Sequence, residues 1–440
     1  MADIIVSIER EIEPEIVEHL RRAGAELGWR YAASLAGRLG QLRSGAVLRE
    51  FPVGFHRVDV DDDAEDAELV RLPLFYDRSG RVTAESNCPF AYSALGLPFQ
   101  KGGRHQSYLA TMNVSQAWAA GVNGAGVRVA VVDSGQDGLQ YGPVNDYYDV
   151  ENANTILHPS PTVPVDRDGH GTAMSCLIRE VAPDAEIHIV RISDQSRPLL
   201  WNLLAGVAVA AYDCNAEIIN LSVGYNKIQG CACGAIGAAR SLALRKMLEA
   251  ITQSGFRIYV AAAGNEFSSI RFNDPAEFGN AVAVGSVNAS NYRSRYSNYG
   301  TANHPCYVLA PGGEEDPPKT ILEHVGTCGH TAQNTCLGTS VAAAYASGML
   351  ALLRSDNRHK RDTRAQFLAA LPGYCKMPAH AQGNTAEYGN GVLQYMPEAK
   401  DAGAADERRD DYSMVLDHDV IIRKKDHIVI GGIRVPRREA

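Results

Sequence analysis

The chain has 440 residues, 45% of them hydrophobic, and a formal net charge of −9. That is enough apolar material to fill a large core without crosslinks. The acidic balance, relieved only by short clusters such as Arg21-Arg22 and Arg423-Lys424-Lys425, offers no field for nucleic acid. No run reaches the ~18 uninterrupted apolar residues of a membrane span, so no membrane partner is expected. The N-terminus, with Asp3 and no basic segment ahead of an apolar run, does not read as a secretory signal, and the expected location is cytoplasmic.

Residues 1–105 read as a smaller α/β N-terminal segment. A strand is predicted over 4–8, then a helix over 14–28 with Ile16, Val17, Leu20, Ala23 and Leu27 on one face, then a strand over 47–60. An acidic loop follows from Asp59 to Asp66. The stretch 86–106 is rich in Gly, Pro and polar residues, as a linker would be. From Tyr108 the pattern changes. Apolar runs at 127–133, 187–192, 217–223, 257–263 and 281–287 read as buried strands, with helices predicted at 170–180, 199–213, 236–254 and 339–354. Strand and helix in alternation imply an α/β fold, a doubly wound, mostly parallel sheet flanked by helices over 106–397, with its site beyond the carboxyl ends of the strands. Residues 398–440 read as a charged linker and a β-hairpin built from 414–422 and 427–435.

A serine hydroxyl is a poor nucleophile at neutral pH. It needs a base to take its proton and a carboxylate to hold that base in the right tautomer. Asp133 ends an apolar strand before Ser134-Gly135, His170 opens a helix within Asp168-Gly169-His170-Gly171-Thr172, and Ser340 follows Gly338-Thr339 at the start of another helix. Asn265, after Ala263-Gly264 at a third strand end, could supply an amide to a tetrahedral oxyanion together with the backbone N–H of Ser340. Singly, each is more often structural than catalytic. Together they fall in one chain order, each at a strand–helix junction on the same side of the sheet.

The segments VVDSG, DGHGT, NLSVG, AAAGN and GTSVAAAYASGMLALL resemble the successive motifs of the subtilisin-like serine proteases, the subtilase family. The resemblance runs from about Tyr108 to Gln394. It implies a serine endopeptidase acting on a peptide or protein substrate, with Asp133, His170 and Ser340 as triad and Asn265 as oxyanion amide. It further implies that Ser222, Val223 and Gly224 pair with substrate as an added strand, and that they wall the S1 pocket with Ala262, Ala263 and Gly264. Asn273 or Asp274 would then lend polarity to the pocket floor, for a polar or basic P1 residue. Ala173 stands where the family usually has a second histidine, and Ala344-Tyr345 replaces its Pro-His. The short connection after the helix of His170 leaves no room for the family's calcium loop, so no metal and no cofactor are expected. The N-terminal segment resembles in size and texture the propeptides that inhibit such enzymes. A transpeptidase or leader-cleaving protease on the same fold, and a catalytically silent binding protein, are the rival readings.

The sequence holds nine cysteines. Cys176 and Cys214 read as buried thiols. Cys231/Cys233 and Cys328/Cys336, with His330 between the latter, leave disulfide or zinc open, although Cys-x-Cys lacks the two-residue gap of a zinc knuckle. The glycines of 121–126 precede a strand instead of following it, which denies a dinucleotide phosphate its helix N-terminus.

Overall fold

The computed structural model describes residues 2–27, 29–60, 81–87, 91–92, 95–98, 105–137, 143–151, 166–193, 198–224, 241–269, 272–300, 304, 306–315, 322–323 and 334–397, and four strands of the tail. Met1–Met396 cluster as one unit and Pro397–Ala440 as a second.

The N-terminal part of the first unit comprises β1 (Ala2–Glu9), α1 (Glu13–Leu27), β2 (Trp29–Ser34), α2 (Leu35–Arg38), α3 (Arg43–Arg49), β3 (Val53–Val60) and β4 (Val82–Ser86). Its strands form an antiparallel sheet ordered β2-β3-β1-β4. Period-2 alternation divides β1 between two layers. Ile4, Val6 and Ile8 pack with Leu20 of α1 and with Val58 and Val82, while Ile5 joins Leu35, Leu39, Leu48, Phe51 and Phe55 in a core shared with the following domain. At about 1.5–3 kcal/mol for each large apolar side chain so covered, the sheet is held from both faces. The strand expected over 47–60 begins only at Val53. Its first residues belong to α3, which ends before Pro52, and the cap of α3 comes from far away: Asp213 accepts from the backbone N–H groups of Arg43 (2.9 Å) and Ser44 (3.2 Å). A cap 170 residues distant leaves no local signal.

The connector carries β5 (Ala91–Tyr92) and β6 (Leu95–Pro98), followed by α4 (His105–Thr111) and α5 (Val114–Ala119). The large domain then runs β7 (Arg128–Asp133), β8 (Asp146–Asp149), α6 (His170–Val181), β9 (Glu186–Arg191), α7 (Leu200–Tyr212), β10 (Ile218–Leu221), β11 (Val223–Gly224), α8 (Leu242–Gln253), β12 (Ile258–Ala262) and β13 (Val282–Val287). Next come β14 (Tyr307–Pro311), β15 (Glu314–Glu315), β16 (Leu322–Glu323), β17 (Asn334–Leu337), α9 (Thr339–Ser355), α10 (Arg364–Ala370), β18 (Cys375–Lys376), α11 (Thr385–Tyr388) and β19 (Val392–Leu393). Among the described residues the main sheet has nine strands ordered β18-β19-β14-β13-β12-β10-β7-β9-β8, parallel except for β18. It is the doubly wound α/β sheet that the alternation implied. β8, β14 and β19 were not among the predicted strands.

The chain order reverses at β7, which has β9 on one side and β10 on the other. That is the switch point at which an open α/β sheet makes its crevice. α7 is buried along its whole length, since the N-terminal sheet and α3 cover the face the main sheet leaves. A Cβ on Gly206 would lie 2.5 Å from Ile192 and 2.9 Å from Val132, so glycine lets α7 settle on β7 and β9. α9 is apolar all round and buried from Thr339 to Leu353, as a helix driven through a core must be.

The second unit differs from the expected hairpin. β20 (Tyr412–Leu416), β21 (Val420–Arg423), β22 (His427–Ile430) and β23 (Ile433–Pro436) make a four-stranded antiparallel meander. Each predicted segment is thus divided between two paired strands, 414–422 between β20 and β21 and 427–435 between β22 and β23.

Candidate active site

Asp133 closes β7 and has no solvent exposure. Its Oδ1 lies 2.7 Å from Nδ1 of His170, the first residue of α6, which is 5% exposed. The approach depends on glycine: a Cβ on Gly171 would fall 2.3 Å from the carbonyl oxygen of Gly135 and 3.1 Å from Cβ of Asp133. Ser134 completes the turn, donating its own N–H to Asp133 Oδ1 (2.7 Å) and accepting from Gly171 N–H (2.8 Å). Asp166 satisfies the start of α6 by accepting from the N–H groups of Gly169 and Thr172, each at 2.8 Å, and from the Thr172 hydroxyl at 2.6 Å. Burial alone would lower the His170 pKa; the charge and hydrogen bond of Asp133, with Asp168 and Asp166 behind it, outweigh that and raise it.

Ser340 sits in the first turn of α9, fully buried, behind Gly338 at φ 140°. Its Oγ–H donates to the carbonyl of Ser222 at 3.0 Å, and Ser222 Oγ–H returns a bond to the Ser340 carbonyl at 3.1 Å. Asn220 Nδ2 holds Ser222 Oγ, and Ser347 on the next turns of α9 holds Asn220 Oδ1, both at 3.0 Å. The carboxyl end of β10 and the start of α9 are thereby tied together through side chains. The structure brings Asp133 and His170 into contact, and it places the Ser340 hydroxyl on Ser222.

Asn265 is oriented through its oxygen. Oδ1 accepts from both the N–H and the hydroxyl of Thr339 at 2.9 Å, and the same hydroxyl accepts from Gly264 N–H at 3.1 Å. This fixes which end of the amide is Nδ2. Behind the turn, Tyr296 donates to the carbonyl of Gly312 at 2.7 Å, and that carbonyl also receives the N–H of Gly338 at 2.9 Å.

The proposed pocket residues fall into two groups. Ala262 ends β12 and Ala263 and Gly264 follow it, and Asn273 reaches them, its N–H donating to the Ala263 carbonyl at 2.9 Å. Asp274 does not join them: its carboxylate is 3% exposed and accepts the N–H of Ser241 at 2.6 Å, ahead of α8. The carboxylate beside Gly264 belongs to Glu266, which the sequence reading missed. Its oxygens accept from Asn273 Nδ2 (3.1 and 3.2 Å) and Asn298 Nδ2 (2.7 Å), and among the described residues no ion pair with a cation neutralises it. Buried Asn298 also accepts from the N–H groups of Glu266 and Ser268 at 3.0 and 2.8 Å. An acidic residue directly after Gly-Asn was the only signal available for Glu266.

Ser222 immediately precedes β11, whose Val223 and Gly224 pair antiparallel with Tyr92 and Ala91 of β5. Leu337 through Asn334 of β17, just ahead of Gly338, pair antiparallel with Leu95 through Pro98 of β6. Consecutive pieces of the chain's own connector thus lie on the two strands that flank Ser340.

A sequence profile described as the subtilase family matches residues 124–391, more than half of the chain. The chain belongs to the subtilase family. It is similar to Subtilisin NAT of Bacillus subtilis subsp. natto, 29% identical over 294 residues that make up 64% of this chain and 67% of that protein. It is also similar to the Thermophilic serine proteinase of Bacillus sp. (strain AK1), 29% identical over 262 residues, 56% of this chain and 57% of the other. A third match, the Minor extracellular protease Epr of Bacillus subtilis (strain 168), is 26% identical over 383 residues, 84% of this chain and 54% of the relative. As a subtilase the chain is a serine endopeptidase.

Among the described residues of this subtilase no cluster of three His, Cys, Asp or Glu could hold a metal ion, and no helix is long and apolar enough to cross a membrane. Cys176 and Cys214 are buried thiols that form no disulfide. Cys231, Cys233, Cys328 and His330 lie outside the described residues, and Cys336 is described only as backbone in β17.

Proposed function

We propose that this subtilase cleaves peptide bonds with Ser340 as nucleophile, His170 as general base and Asp133 as the carboxylate that orients it. The observation that carries the reading is the 2.7 Å bond between Asp133 Oδ1 and His170 Nδ1, made where solvent scarcely reaches either group. It keeps the proton on Nδ1 and leaves Nε2 as the accepting atom. For turnover the Ser340 hydroxyl leaves the Ser222 carbonyl and gives its proton to Nε2, a bond of the kind that tightens only with substrate in place. Oγ then attacks the substrate carbonyl, and the oxyanion is taken by Ser340 N–H and Asn265 Nδ2. His170 passes the proton to the departing amine, and water resolves the acyl-enzyme by the same route in reverse.

Asn265→Asp separates the two jobs of that side chain. It keeps an oxygen for Thr339, withdraws the donor and adds a charge that repels the oxyanion, so kcat is expected to fall by at least about 10²–10³ while a fluorophosphonate still labels Ser340. An unchanged kcat would mean that other groups hold the oxyanion.

Glu266 supports a basic P1 residue. Its charge is held by amide groups next to Gly264, available to a cation that a substrate brings. Glu266→Gln is expected to lower the preference for Arg or Lys over Leu at P1, read as kcat/KM ratios, by roughly tenfold, about 1.4 kcal/mol. Equal ratios in parent and variant would remove Glu266 from the specificity of this enzyme.

We read residues 1–105 as an intramolecular inhibitor. The pairing of β5 with β11 and of β6 with β17 supports this, since a peptide substrate would need the same backbone edges.

A further inference from the structure

The N-terminal sheet meets the peptidase at the start of α8, and two carboxyl groups converge there from opposite sides. Glu85, on edge strand β4, accepts the N–H of Ala243. Asp274, from the loop after β12, accepts the N–H of Ser241 two residues earlier. The positive end of a helix is worth about half a charge, which suits one anion better than two. Of the other charged groups facing Glu85, α8 contributes Lys246, which also faces Glu9 of β1 and Glu249. Lys246 Nζ is 3.5 Å from Thr83 Oγ1 on the same edge strand, and of its acidic neighbours Glu9 is also paired with Arg81 at 2.8 Å, which leaves Lys246 to Glu85 and Glu249.

Resting on the reading of residues 1–105 as an inhibitor, we propose that its hold on the active site is proton-linked: Glu85 latches the N-terminal sheet to α8 as a neutral acid and releases it on ionising beside Asp274. Burial, with a smaller addition from the Asp274 charge, outweighs the hydrogen bonds from the helix N–H groups and the Ser241 side chain and pushes the Glu85 pKa up to about 7. Once undocked, the group returns to an ordinary carboxyl value of about 4.3. The docked state therefore holds the proton more tightly. Its advantage is complete below the undocked value and is lost as pH rises through the docked one. Two other polar contacts of the interface, Trp201 N–H to Asn87 Oδ1 (2.9 Å) and Arg38 to Asn202 Oδ1 (3.0 Å), use groups that keep one protonation state over that range. His56, whose pKa burial lowers to about 4, meets Glu13 and Tyr31 of the same N-terminal part, so it is linked to unfolding of that part and not to docking.

The test uses the full chain carrying Ser340→Ala, in which no self-cleavage intervenes. Amide exchange of β11 and of the first turn of α8 is followed from pH 5.5 to 8 and corrected for intrinsic rates. Opening is expected to grow roughly 30-fold over that range, to be flat within about twofold when Glu85→Gln is added, and to grow less and level off at lower pH when Asp274→Asn is added. An Asp274→Asn profile that superimposes on the parent, or a Glu85→Gln profile that keeps the parent's slope, would overturn the latch, as would protection of β11 that is strong but independent of pH in the parent. Absence of β11 protection at every pH would instead overturn the inhibitor reading on which the latch stands.

Discussion

His170→Ala is expected to lower kcat/KM for peptide hydrolysis by about 10⁴–10⁶, and Ser340→Ala to do the same. The two losses should not add in the double variant, because on the proposed mechanism nucleophile and base act as one unit and either deletion leaves only binding and the oxyanion donors. The variants differ in stability. Ser340→Ala removes one hydrogen bond, to the Ser222 carbonyl, so its melting temperature should stay close to the parent's. His170→Ala leaves the Asp133 carboxylate without its imidazole partner at a position closed to solvent. That costs on the order of 1–3 kcal/mol, so its activity must be read below its own melting transition. Hydrolysis within tenfold of the parent in either folded variant would remove that residue from the reaction.

The second large effect is that of Asp133→Asn, for which a drop in kcat of about 10⁴ is expected from loss of the correct His170 tautomer. The same substitution makes a directional statement about pH. On the proposed mechanism hydrolysis needs neutral His170, so the rate is expected to rise with pH through its pKa, and in the parent Asp133 holds that pKa above the ordinary histidine value. Without that charge burial dominates, the pKa falls, and the acid limb of the kcat/KM profile moves to lower pH even as the plateau collapses. A limb that stays in place in the variant would show that some group other than His170 sets it.

What could be read from the sequence follows from which forces act locally. Asp133, Asn265 and Ser340 stand where an apolar run ends or begins, and the parallel sheet that such runs imply puts strand ends on one rim. Gly171 could be flagged beside His170, but not the reason for it, which is the backbone of Gly135 pressed against its α-carbon. The orientation of Asp274 was out of reach because it is decided by the N–H of Ser241, 33 positions away. Glu266 was passed over for the opposite reason. It is next to a recognised residue, yet its role depends on Asn298, which no spacing rule connects to it. The helix over the first part of 47–60 was lost to the cap from Asp213.

The borders of the main sheet decide where a stranger's backbone can attach. One border is β8, where Asp146 engages His188 and Asp149 engages Arg191, and such charged rims discourage recruitment of foreign chains. The other is β18, two residues long and running against the rest. Among the described residues a polypeptide in search of unpaired N–H and C=O groups thus finds little at either border, while the backbone of Val223 and Gly224 is already lent to the chain's own Tyr92 and Ala91.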